Sequence, residues 1–99
     1  MTKVKYRAVI MDYAGDGERT FEFEEDAAFF DLPSDEIIDG LIRRISAKEG
    51  LKSPMRYELN VAKRYPEKSL VCAFGVFLMR SGNQSPFIAM IGPARDETS

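Results

Sequence analysis

Few residues in this 99-residue chain have the types and spacing that chemistry asks for. Histidine is absent. That removes the usual general base near neutral pH, the Ser-His-Asp and Cys-His arrangements, and most zinc sites. Cys72 is the one cysteine, and it lies inside the most apolar stretch, Ser69 to Met79. A thiol buried there has a raised pKa and is inert, so its type and place assign it to packing. Asp12, Asp16 and Glu18 have some of the spacing of a cation site. They lack the calcium-loop pattern with its closing Glu, and read as solvated turn acids. Gly15-Asp16-Gly17 is no phosphate loop, because the Lys-Ser/Thr pair and the following helix are missing. Glu22 and Glu24 share one strand face and have the residue type for acid/base work, but no neighbour singles them out. The reading is therefore a protein without catalysis, metal or cofactor.

A second constellation concerns binding. Arg43, Arg44, Lys48, Lys52, Arg56, Lys63, Arg64 and Lys68 fall in one stretch, with Tyr57 and Tyr65 among them. Bases and aromatics on a sheet are what single-strand nucleic-acid binders use. Against this, Tyr57 falls on a core-facing alternation, and the sequence pI of about 5.2 is far from the basic range of such proteins. Nucleic-acid binding through Arg43 to Lys68 stands as the alternative function.

Charge is unevenly placed along the chain. Asp12 to Asp39 holds eleven acids and one base, a net of −10, and Gly40 to Arg80 holds nine bases and three acids, a net of +6. The whole chain carries −2. Interleaving of elements in space is expected to mix these blocks on outer faces.

The elements that position these residues come from periodicity. Pro33 to Gly50 is the one helix. Ile37, Leu41 and Ile45 recur every four residues with Ile38 and Ile42 alongside, giving one apolar stripe for a sheet. Acids at Asp35, Glu36 and Asp39 and bases at Arg43, Arg44 and Lys48 suit the helix dipole. Ser34 is expected to cap the start, and Gly50 to take the left-handed position at the end. Gly40 either lets the helix approach the sheet closely or is simply tolerated, at roughly 1 kcal/mol relative to Ala.

The rest reads as strand. Lys3 to Tyr13 sets Val4, Tyr6, Ala8 and Ile10 against Lys3, Lys5, Arg7, Val9 and Met11. A glycine turn over Ala14 to Gly17 leads to Arg19–Glu25, a return strand with a polar outer face suited to an edge. Asp26 to Leu32 is too apolar for a free loop, and Phe29, Phe30 and Leu32 are expected to fold over an open end of the core. Met55 to Lys63 sets Met55, Tyr57, Leu59 and Val61 against Arg56, Glu58, Asn60 and Ala62. Ser69 to Met79 is apolar on both faces and is expected as a central strand. Pro86 to Gly92 closes the domain, with Phe87, Ala89 and Ile91 on one face and Ile88 and Met90 on the other.

The fold class is thus α+β, order ββαβββ, with one helix on a five-stranded mixed or antiparallel sheet. Residues 1–92 form one domain and 93–99 a polar tail. The order of hairpin, helix and strands, with DEIIDGLIRRISAKEG as the helix, resembles the opening of β-grasp folds. The Gly-Gly tail of ubiquitin-like members is lacking, and the resemblance implies no function. No apolar run has the length of a membrane span, and a soluble, reducing, cytoplasmic setting is expected.

One helix of about fifteen residues is roughly 22 Å long and covers one sheet face. The apolar positions exceed what it can cover. Leaving even 400 Å² wet would cost on the order of 10 kcal/mol at roughly 25 cal/mol/Å². The expectation is a non-catalytic protein-interaction module that self-associates, most simply as a homodimer, and contacts another protein in a regulatory or adaptor role. Its interface is expected at Val9, Met11, Val71, Phe77, Met79, Ile88 and Met90. The competing arrangement closes that face within one chain through sheet coiling with Phe29, Phe30 and Leu32.

Overall fold

The computed structural model describes residues 3–12, 17–50, 52 and 55–94. Five strands and one helix follow in the order expected: β1 Lys3–Asp12, β2 Gly17–Asp26, α1 Ser34–Lys48, β3 Tyr57–Tyr65, β4 Leu70–Leu78 and β5 Gln84–Pro93. Short 3-10 turns at Ala27–Asp31 and Pro66–Lys68 precede α1 and β4. The strands form one sheet in the order β2-β1-β5-β4-β3, and every ladder is antiparallel. The fold class is as read from the sequence, and of the two sheet types the antiparallel one holds. The β-grasp likeness ends with the order of elements. Here β1 runs antiparallel to both β2 and β5.

Helix α1 carries the chain from one edge strand, β2, to the other, β3, across a single face of the sheet. Its stripe of Ile37, Ile38, Leu41, Ile42 and Ile45 is fully buried. Beneath it the sheet presents small side chains: Ala89 pairs with Ala73, and Ala73 with Ala62. Tyr6, Ile10, Val71, Phe77, Phe87 and Ile91 surround that row and complete the core. Burying one such aliphatic side chain contributes about 1.5–3 kcal/mol, so the stripe is a large source of stability. Ser46 ties the helix to the next strand: its hydroxyl donates to the Ile42 carbonyl (2.8 Å) and accepts from the Met55 N–H (3.0 Å).

Three local expectations are corrected. Ser34 does not cap the helix. Pro33 occupies the cap position with no side-chain bond, and its carbonyl accepts from the Glu36 and Ile37 N–H groups at 3.0 Å. Val61 does not continue the inward alternation of β3. A bulge between Leu59 and Val61 turns both Asn60 and Val61 outward and brings Ala62 in. β4 shows the opposite face from that expected, because it has no polar residue to mark which parity is outer. Val71 and Phe77 lie against the helix side at 0% and 3% exposure.

Other expectations hold. Gly50 is left-handed, at φ 77°. Gly40 departs from its expectation: the neighbour there is not the sheet but Phe29, whose ring a Cβ would meet at 3.0 Å. Phe29 and Phe30 pack with Phe23 around Tyr6, whereas Leu32, expected with them, is 40% exposed. The acidic and basic blocks mix in space, as in the ion pairs Arg44–Glu25, Arg43–Asp39 and Arg19–Glu49.

Candidate interaction surface

Among the described residues no element lies over the sheet face away from α1. The strand registers align its side chains in rows across the sheet. One row runs Glu18, Met11, Ile88, Phe74, Val61 from β2 to β3. The next runs Thr20, Val9, Met90, Cys72, Lys63. Met11, Ile88, Phe74 and Val61 are 45–55% exposed, and Met90 is 37%. Val9, Cys72 and Val76 between them are half-buried. These are neighbours, so their exposed areas join into one patch on the order of 500 Å², the size at which an apolar patch is usually functional.

A polar rim bounds the patch. On β2 it carries Glu18, Thr20, Glu22 and Glu24, and on β3 Glu58 and Lys63, all exposed. Arg7 Nη2 holds Glu22 at 2.8 Å across the β1–β2 ladder. Beyond Met90 the face dips where Gly92 has no side chain. Arg7, Lys68, Leu70 and Met90 line that hollow of about 340 Å³.

The expected interface residues divide. Val9, Met11, Ile88 and Met90 are on this face. Met79 is exposed (49%) but sits past the end of β4, where its N–H donates to the Asn83 carbonyl at 2.9 Å. Val71 and Phe77 belong to the core, and Phe77 stacks on Phe87 at 4.4 Å between ring centres. Phe74, Cys72, Val76 and Val61 are the residues that sequence reasoning missed. The alternating face of β4 was the signal for the first three, but both parities are apolar there. Phe29 and Phe30 cover the helix side of the sheet beside Tyr6, so the connector does not close the open face.

The eight bases of the alternative reading do not gather on one surface. Arg44 stacks over Phe23 (4.5 Å) and pairs with Glu25 on the helix side. Lys48 lies over Phe21, and Arg64 lies over Phe30 and donates to the Leu32 carbonyl at 2.7 Å. Arg43 holds Asp39. Lys63 and Lys68 are on the opposite side of the sheet, and Lys52 and Arg56 are exposed in the α1–β3 connection.

The titratable groups serve structure. Hydrogen bonds from Arg43 and from the Tyr57 hydroxyl (2.7 Å) hold the Asp39 carboxyl below its ordinary range. Burial, and then that same bond, push the Tyr57 phenol well up. Burial raises the Cys72 thiol, against nucleophilic reactivity at neutral pH. Asp12 accepts from the Ser85 hydroxyl and has Arg19 at 3.8 Å, while Asp16 lies outside the described residues. Among the described residues there is no cluster of three His, Cys, Asp or Glu able to hold a metal. No helix among them is long and apolar enough to cross a membrane. The chain matches no family model, no curated protein and no solved structure.

Proposed function

We propose that this chain is a non-catalytic protein-interaction module of the cytoplasm whose working surface is the open sheet face, and that it self-associates through it as a homodimer. The observation carrying the reading is the continuous patch of Met11, Ile88, Phe74, Val61 and Met90, each between 37% and 55% exposed, inside a polar rim. A standard interface takes roughly 800 Å² from each partner, with an apolar centre and a charged border. A patch on the order of 500 Å² with its rim supplies that area and that pattern. Sheet faces stack about 10 Å apart when their side chains interdigitate, and this face has the flexible methionines and aliphatics to do so. A regulatory or adaptor contact with a different protein would use the same surface when the homodimer dissociates.

Ile88→Lys tests the reading. Ile88 is central, and burying a lysine there without a partner charge costs several kcal/mol. Light scattering at tens of micromolar should give a dimer for the native chain and a folded monomer for the variant. A native chain that scatters as a monomer, or a variant that still dimerises, would refute the proposal.

A further inference from the structure

Resting on that homodimer, we infer how the two copies are set: sheet on sheet, about a two-fold axis parallel to β5. Aligned face-to-face packing of two identical sheets leaves two kinds of in-plane axis, along the strands or across them. They differ in which edge strand meets which. An axis across the strands lays β2 over β2 of the second copy. The acids Glu18, Glu22 and Glu24 of one copy would then face the same acidic strand of the other over a water-poor border, which is repulsive. An axis along the strands reverses the strand order of the second copy. With the order β2-β1-β5-β4-β3, the central strand β5 then lies over itself, and β2 lies over β3 at both borders.

The rows decide what meets what. Ile88 and Met90, on the central strand, meet their own copies on the axis. Met11 lies opposite Phe74, and Val9 opposite Cys72, so apolar side chains face apolar ones over the three inner strands, while Val61 at the border lies opposite Glu18. At the border, Lys63 shares its row with Thr20, so it comes down between the levels of Glu18 and Glu22 of the second copy. Each border thus sets a base among acids, twice per dimer.

Charge reversal reads the axis directly. Equilibrium sedimentation at low ionic strength would measure Kd for the native chain, Glu18→Lys, Lys63→Glu and the double variant. Both substitutions are at exposed positions, so the fold is preserved, which circular dichroism checks. Each single reversal is expected to weaken the dimer about three- to tenfold, and the double variant to return within about twofold of native. Tightening by Glu18→Lys, as relief of a β2–β2 contact would give, overturns this axis while leaving the dimer standing. Failure of the double variant to recover also overturns it. A native chain that never dimerises removes the reading on which the inference rests.

Discussion

Phe77→Ala and Phe74→Ala, three residues apart on β4, should have opposite consequences. Phe77 is 3% exposed, stacked on Phe87 at 26° and 4.4 Å, and enclosed by the helix side of the sheet. Its truncation removes a whole ring from the core and leaves a cavity that backbone sheet geometry cannot collapse. Such losses run at about 3–5 kcal/mol, part of which is the ring pair itself at about 0.5–1.5 kcal/mol. For a domain of this size that lowers Tm by roughly 15–30 °C. Phe74 is 49% exposed in one chain, so about half of its transfer energy is still unrealised there, and its truncation should cost the isolated fold about 1 kcal/mol. In the proposed dimer Phe74 would meet Met11 of the second copy, so the same change should weaken association at least tenfold. Urea unfolding at a concentration where sedimentation gives the single-chain mass separates the two effects. Equal losses of fold stability, or a larger loss at Phe74, would refute the assigned faces of β4.

Gly75→Ala should destabilise by about 1–3 kcal/mol in urea, because the new Cβ would stand 2.4 Å from the Glu58 carbonyl oxygen and 3.1 Å from the Phe87 ring, and backbone must move. Tyr57→Phe should cost about 1–2 kcal/mol by the same measurement, since it deletes the 2.7 Å bond to Asp39 in a half-buried setting. Asp39 and Glu25 both have carboxyls held below their ordinary values, by Arg43 in the first case and by the Asp26 backbone N–H in the second. A depressed folded pKa gives stability that is present above the unfolded pKa and lost as pH falls through the folded one. Thermal melts should therefore show a decline that begins near the ordinary carboxyl values, about pH 4, and continues below them, and Asp39→Asn should flatten it.

How far the residues alone foretold this molecule depends on whether polar positions marked a face. On β1, Lys3, Lys5 and Arg7 fix one parity as outer, and Tyr6, Ala8 and Ile10 followed inward. Val9 and Met11 were then placed by continuation. In α1 the isoleucine stripe and the end charges agreed, so its span and buried face were legible. β4 carries only apolar residues from Leu70 to Leu78, so period two was present without a sign, and Val71 and Phe77 were assigned outward when registry with β5 holds them in. β3 alternates cleanly in sequence, but an extra residue at Asn60 resets the pleat, and a bulge in an edge strand has no marker such as Gly here. The surplus of apolar surface was legible as a quantity, because one helix covers one face. Its location was legible only in β1 and β5.

The homodimer is the claim on which the functional account turns, and sedimentation equilibrium of the native chain over a concentration series measures it most directly. The account predicts a mass that rises with concentration to twice the 11.2 kDa of one chain and stops there. A constant single-chain mass up to tens of micromolar would contradict it.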